Sequence, residues 1–211
     1  YRKAVEANVG EVIIASPDKE IINVGKKFSC NTILTKDTYK TGTDRVFAAY
    51  KNIKDKNIDQ IINLQGDMPN INPKNIKVLD NLIRQKNIKI GTLASSLLKE
   101  ELHKKSVVKV LTKEALNNKN FLKVKDFFRV NNNLKNKYIY HHIGIYGFKT
   151  EVLNKYTKLN QSENEKSRNL EQMRALDNNI DIHVAFTSSI PLSVDTEDEL
   201  VEIKKLMEYK S

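Results

Sequence analysis

The 211-residue sequence contains no tryptophan and only one cysteine, Cys30. A lone cysteine excludes an internal disulfide framework and a multi-cysteine zinc site, and it favours a reducing compartment. No apolar run approaches the roughly 18 residues that a membrane-spanning helix requires, so membrane insertion is not expected of this stretch. Neither an internal repeat nor a Gly/Ser-rich linker divides the chain. Arginine is scarce, limited to Arg2, Arg45, Arg84, Arg129, Arg168 and Arg174. The net charge of +10 therefore comes mostly from lysines scattered along the chain. Without an Arg-rich segment or an aromatic stacking platform, this pattern reads as a solvated lysine surface with modest attraction for anionic metabolites, and no nucleic-acid partner is expected.

The 39% hydrophobic and 29% charged residues make a folded globular composition. The length suits one sizeable domain. Glu11 to Ser16 holds the run Val-Ile-Ile-Ala, which suits a buried strand, and Asp18 after it reads as a helix N-cap. Asn31 to Thr35 repeats the strand signal, and Asp44 to Ile53 carries apolar residues at helical spacing. Gln60 to Leu64 and Pro73 to Gln85 form the next strand and helix, with Pro73 suited to a first helical turn. From Lys89 to Tyr146 the pattern changes to strands over 90–98, 107–112, 121–130 and 138–146. Asn131, Asn132 and Asn133 mark a surface loop there. A helix over 165–176, a strand over 182–186 and a helix over 196–208 complete the chain. The expectation is an α/β fold with a mostly parallel mixed sheet and a more antiparallel middle section.

In such a sheet, ligands bind beyond the carboxyl ends of the strands. Gly66 and Asp67 fall at one such end, where Asp67 is equally readable as a hard oxygen ligand or as a turn former. Asp195 falls at another. Thr196 and Glu199 after it read as a capping box, which leaves Asp195 free to face the same rim as Asp67. Two carboxylates from different loops suit a divalent ion bound to phosphates. Thr41 to Arg45 is a glycine turn opening a helix, where free N–H groups and Arg45 can meet an anion. His141 and His142 lie on alternating faces of a strand, one inward and one outward, and without a third ligand they do not suggest zinc.

Five blocks taken in order resemble the 3-deoxy-manno-octulosonate (Kdo) cytidylyltransferases, members of the wider nucleotide-diphospho-sugar transferase group with its Rossmann-like fold. They are Thr41-Gly42-Thr43-Asp44-Arg45, Asn63-Leu64-Gln65-Gly66-Asp67, His142 to Gly147, Leu170-Glu171-Gln172-Met173-Arg174, and Val194 to Leu200. The resemblance implies magnesium-dependent transfer of CMP from CTP to the anomeric hydroxyl of Kdo, an acidic eight-carbon sugar, with release of pyrophosphate, for lipopolysaccharide or related glycan synthesis. It also implies a cytoplasmic homodimer. Cytidylyltransferases for sialic acid or other acidic sugars, and an inactive binding protein of the same fold, are the alternatives.

By that resemblance Asp67 and Asp195 hold the metal and serve catalysis, and Gly42, Arg45 and Gln65 line the nucleotide site. His142, Tyr146 and Gln172 face the sugar acid, and Arg129 matches the arginine that receives its carboxylate. The family's Ser-Arg-Ser/Ala stretch with its following Ile-Pro is not reproduced around Arg129. Met68 stands where the family has glutamate, and Tyr39 where histidine is common. The family also opens with a strand and a phosphate-gripping loop, so residues 1–211 read as one nucleotidyltransferase-like domain incomplete at its N-terminus.

Overall fold

The computed structural model describes residues 1–39, 41–54, 57–130 and 137–208. The loop expected at Asn131, Asn132 and Asn133 lies outside the described residues. Helix α1 (Arg2–Ala7) closes on Asn8 in the left-handed conformation, at φ 51°. Strand β1 (Ile14–Ser16) leads into α2 (Lys19–Lys27), whose N-cap Asp18 accepts hydrogen bonds from the Glu20 and Ile21 N–H groups. β2 (Thr32–Leu34) precedes α3 (Gly42–Lys51), capped by the Thr41 hydroxyl, which accepts from the Asp44 N–H. β3 (Gln60–Asn63) precedes α4 (Pro73–Arg84), where Asn72 caps and Pro73 occupies the first turn, a position with no intrahelical N–H bond to lose.

The middle third holds β4 (Ile90–Ser96), β5 (Lys109–Leu111), β6 (Phe121–Lys123), β7 (Asp126–Phe128) and β8 (Ile139–Lys149). The single strand expected over 121–130 is two. Val124 N–H donates to the Ile182 carbonyl and Lys125 N–H to that of Leu111, so the chain changes partners at this point. The tail holds α5 (Thr150–Tyr156), α6 (Glu163–Arg168), α7 (Met173–Asp177), β9 (Ile182–Phe186) and α8 (Glu197–Glu208). The one helix expected over 165–176 is also divided, because Asn169 adopts φ 50° and ends α6 before α7 starts. No helix of the described residues is long and apolar enough to cross a membrane.

β1 and β2 form a parallel pair, and the other strands form one sheet in the order β6-β9-β4-β8-β5-β7, with β3 also paired to β8. The class is mixed α/β, and the middle strands are antiparallel as expected. The mostly parallel sheet is corrected: among the described residues only β1–β2 and β4–β9 run parallel, and every other pairing is antiparallel. The physical reason is β8, whose eleven residues run against both β3 and β4. Apolar patterning identifies a strand without giving its direction.

Apolar clusters cover both faces of the sheet. One gathers Ile90, Val110, Phe127, Phe148, Leu153, Tyr156 and Val184, and the other gathers Ile76, Leu79, Leu82, Ile83, Leu93 and Ile145 with Ala4 and Ala7 of α1. Helix α4 approaches so closely that no side chain fits beneath it. Gly91 and Gly147 are register partners under α4, and a Cβ on Gly147 would lie 2.5 Å from Ile83 Cγ1. This packing fixes β8, and therefore the residues that β8 presents at the sheet's rim.

Candidate active site

The end of β3 meets the start of α3 through a chain of small polar contacts. Asn63, buried, donates from Nδ2 to Thr43 Oγ1 at 3.2 Å, and Gln65 Nε2 donates to Asn63 Oδ1 at 3.3 Å. A Cβ on Gly42 would lie 3.2 Å from Gln65 Nε2, so Gly42 and Gln65 are in contact. The helix opening at Gly42 has its dipole and free N–H groups beside this corner, a place where anions are favoured. Arg45 belongs to the same helix, but its Nη1 donates to Thr35 Oγ1 at 2.9 Å and to the Lys36 carbonyl at 3.1 Å. It ties the segment after β2 to α3.

Asp67 follows Gly66 on the rim. Its Oδ2 accepts from Ser193 Oγ at 2.9 Å, and the same Oγ lies 3.5 Å from Asp195 Oδ2. The backbone repeats the link, since Val194 N–H donates to the Asp67 carbonyl at 2.9 Å. The two carboxylates expected to share a site are therefore brought together by one hydroxyl. Asp195 is exposed, and its N–H and that of Thr196 both donate to Glu199 Oε2, at 2.8 and 2.9 Å. With Thr196 Oγ1 accepting from Glu199 N–H, this is the capping box read in the sequence, and it leaves the Asp195 carboxylate outside the cap. The Asp195 N–H is the leading influence holding Glu199 below the usual carboxylate range.

A divalent cation fits this pair. Asp67 Oδ1 is buried without a hydrogen-bond partner, a state shared among the described residues only by His183 Nδ1, and an unpaired buried carboxylate oxygen is costly unless something electropositive meets it. Among the described residues no group of three or more His, Cys, Asp and Glu side chains forms a metal cage. Two carboxylates alone suit a hard cation that takes its remaining oxygens from phosphates and water.

The acceptor side is built on β8. Between Thr92 and Leu93 the register on β8 jumps from Tyr146 to Ile143, a bulge of the kind that re-aims side chains. Thr92 Oγ1 donates to the Ile145 carbonyl at 2.8 Å, satisfying backbone at the bulge. His142 Nε2 lies 2.9 Å from Thr92 Oγ1 and 3.2 Å from the Tyr146 hydroxyl. Burial pushes the His142 imidazole down to about 3, so the ring is neutral with a single N–H. Thr92 Oγ1 and the Tyr146 hydroxyl both lie within hydrogen-bond reach of the same ring nitrogen, Nε2. Burial raises Tyr146 so that it stays protonated.

Tyr146 and Gln172 line one narrow pocket together with Thr43, Tyr156 and Glu171. His142 stands behind Tyr146 and is 7% exposed. His142 is thus the inward histidine, and His141 pairs outward with Glu101 at 3.1 Å. Arg129 is not brought to this pocket: its Nη1 donates to the Lys105 and Ser106 carbonyls at 3.0 and 3.3 Å.

Two single residues and one ion pair near the site escaped the reading of single residues. Glu171 is a half-buried carboxyl, raised by desolvation and pulled back by the Thr43 and Thr41 hydroxyls. Its only sequence signal was an acidic residue inside the Leu-Glu-Gln-Met-Arg block. Glu165 and Arg174, 4% and 3% exposed, form a bidentate pair at 2.8 and 2.5 Å, with the guanidinium 5.0 Å over the Tyr156 ring. The third, Ser193, carries no motif signal.

Residues 1–182 match the family described as cytidylyltransferase. The 3-deoxy-manno-octulosonate cytidylyltransferase of Rickettsia felis is 33% identical over 99% of this chain and 82% of its own, and that of Bartonella tribocorum is 31% identical over 97% and 84%. A solved structure of CMP:2-keto-3-deoxy-manno-octonic acid synthetase complexed with CTP matches with a TM-score of 0.88 at 28% identity, over 100% of this chain and 86% of that one. UDP-glucose pyrophosphorylase complexed with UDP-glucose matches at a TM-score of 0.64 and 13% identity, over 100% of this chain and 86% of its own, a likeness of fold alone. Fold and site together define a nucleotidyltransferase with a Rossmann-like nucleotide-diphospho-sugar transferase fold. Within that class the chain belongs to the cytidylyltransferases, in the 3-deoxy-manno-octulosonate cytidylyltransferase family. Cytidylyltransferases generally use a divalent metal.

Proposed function

We propose that this protein transfers CMP from CTP to the anomeric hydroxyl of Kdo, releasing pyrophosphate, with magnesium as the metal. The observation that carries the reading is the buried, unpartnered Asp67 Oδ1 beside Asp195, next to the Gly42–Gln65 corner, in a chain of this family. When bound by Asp67 and Asp195, magnesium neutralises triphosphate charge and lowers the pKa of a coordinated hydroxyl. In-line attack at the α-phosphorus needs alignment and charge neutralisation more than a covalent group.

The chain's own residues supply the alignment. The α3 N-terminus and the Gln65 amide bind the nucleotide side. Tyr146, a protonated phenol, and Gln172 are assigned to the sugar acid, and neutral His142, 3.2 Å from the Tyr146 hydroxyl, supports that side chain. Arg45 shapes the nucleotide corner by anchoring the segment after β2. Arg129 receives the sugar carboxylate only if its guanidinium exchanges the Lys105 and Ser106 carbonyls for it. The single cysteine fits a cytoplasmic enzyme, and a homodimer is the proposed assembly.

Pyrophosphate release from CTP tests the reading. We expect kcat/KM to favour Kdo over a nine-carbon sialic acid. Preference for sialic acid would move the protein to another acidic-sugar branch. Absence of release with either acid would support an inactive binding protein.

A further inference from the structure

We propose that Ser193 is a positioning residue for the divalent-cation site, an inference that rests on the assignment of the cation to Asp67 and Asp195. Ser193 has a single hydroxyl proton and two carboxylates within reach, Asp67 Oδ2 at 2.9 Å and Asp195 Oδ2 at 3.5 Å. The shorter contact takes the proton. It commits Oδ2 of Asp67 and leaves Oδ1, buried and unpartnered, as the oxygen open to a cation.

The surrounding backbone gives this hydroxyl little freedom. Leu192 N–H donates to Asn70 Oδ1 at 2.9 Å and Val194 N–H donates to the Asp67 carbonyl at 2.9 Å, so the residues on both sides of Ser193 are fastened to the turn that carries Asp67. On the far side, Glu199 fixes the Asp195 backbone. Only Ser193 links the two carboxylates side chain to side chain among the hydrogen bonds of the described residues. Like charges held this close repel one another. A hydroxyl donating to Asp67 lowers that cost before a cation arrives, while the backbone ties at Val194 and Asp195 hold the Asp195 segment in place, so that less reorganisation accompanies binding.

The test is direct titration of Mn²⁺ onto the full chain without nucleotide, following the free Mn²⁺ signal by electron paramagnetic resonance. Ser193→Ala and Ser193→Gly should each weaken binding about tenfold, the equivalent of one hydrogen bond to a charged group. Ser193→Thr, which keeps the hydroxyl, should stay within about twofold of the parent protein, well inside one such bond. Circular dichroism melts establish that each variant is folded, and the Ala and Gly changes give two independent ways to remove the hydroxyl. Asp67→Asn and Asp195→Asn should abolish binding. If these two lose Mn²⁺ while Ser193→Ala and Ser193→Gly titrate like the parent, the inference about Ser193 is overturned and the carboxylate assignment stands. Equal weakening by Ala, Gly and Thr also overturns it, because the hydroxyl would then be irrelevant. If the Asp variants bind like the parent, the cation assignment fails and takes the inference with it.

Discussion

His142 shows how burial decides the chemistry of one side chain. Its imidazole, driven down to about 3 by burial, stays neutral while an unfolded chain takes up a proton near the ordinary value of about 6.5. Below the unfolded value the unfolded state binds the extra proton, so this contribution to stability is complete above about pH 6.5 and declines as pH falls toward 3. The slope for one proton is about 1.4 kcal/mol per pH unit. Urea melts between pH 4.5 and 7 should therefore show a steeper acid loss in the parent than in His142→Gln. Parallel curves would contradict a neutral buried imidazole. Its partner Tyr146 carries the complementary prediction. On the proposed assignment of both to the acceptor sugar, Tyr146→Phe and Gln172→Ala should raise KM for Kdo more than KM for CTP. Selective damage to CTP use would move that pocket to the nucleotide.

The elements around the site depend on a few internal ties. Arg174 in α7 grips Glu165 in α6 across the Asn169 break and lies 3.9 Å from Asp44 in α3. Burial alone would push Glu165 up, and the Arg174 guanidinium instead holds it below the carboxylate range. Arg174→Ala leaves a buried charge unpaired and should cost about 3–5 kcal/mol in urea denaturation, whereas Glu165→Leu with Arg174→Met should recover most of it. A loss under 1 kcal/mol for Arg174→Ala would mean the pair is solvated in solution. Legibility in the sequence divides along the same line. The helix cap at Asp18, the first-turn Pro73, the Thr196–Glu199 capping box and the strand at 182–186 were readable because their determinants are local. α5, after β8, was not foreseen, and no side chain caps its start. The break at Val124 was invisible because it answers to distant carbonyls, whereas the break at Asn169 is local, an asparagine taking the left-handed conformation, and was passed over in favour of one continuous helix. The antiparallel middle section was anticipated, but the pairing of β8 with β3 was not, since alternation does not name a strand's partner. Among site residues, Asp67 and Asp195 were legible as rim carboxylates and are linked through Ser193, and Gly42 touches Gln65, whereas the placement of Arg129 against the 105–106 backbone depends on a fold that motif spacing does not encode.

At the scale of the whole molecule, the sheet's rim is where three separated parts of the chain meet: the β3 end, the β8 bulge and the segment from Ser193 to Thr196. Neither carboxylate is needed for the core, since Asp195 is exposed and Asp67 contributes one hydrogen bond through Oδ2 that asparagine can keep. The account therefore separates chemistry from folding at these two positions. The most direct measurement is the Kdo-dependent rate of pyrophosphate release from CTP by Asp67→Asn and Asp195→Asn at limiting magnesium, alongside thermal melts. The predicted result is a fall in kcat of about 10²-fold or more, several kcal/mol of transition-state stabilisation, with melts close to the parent protein. Near-parent turnover by either variant would contradict the assignment of the metal to this pair.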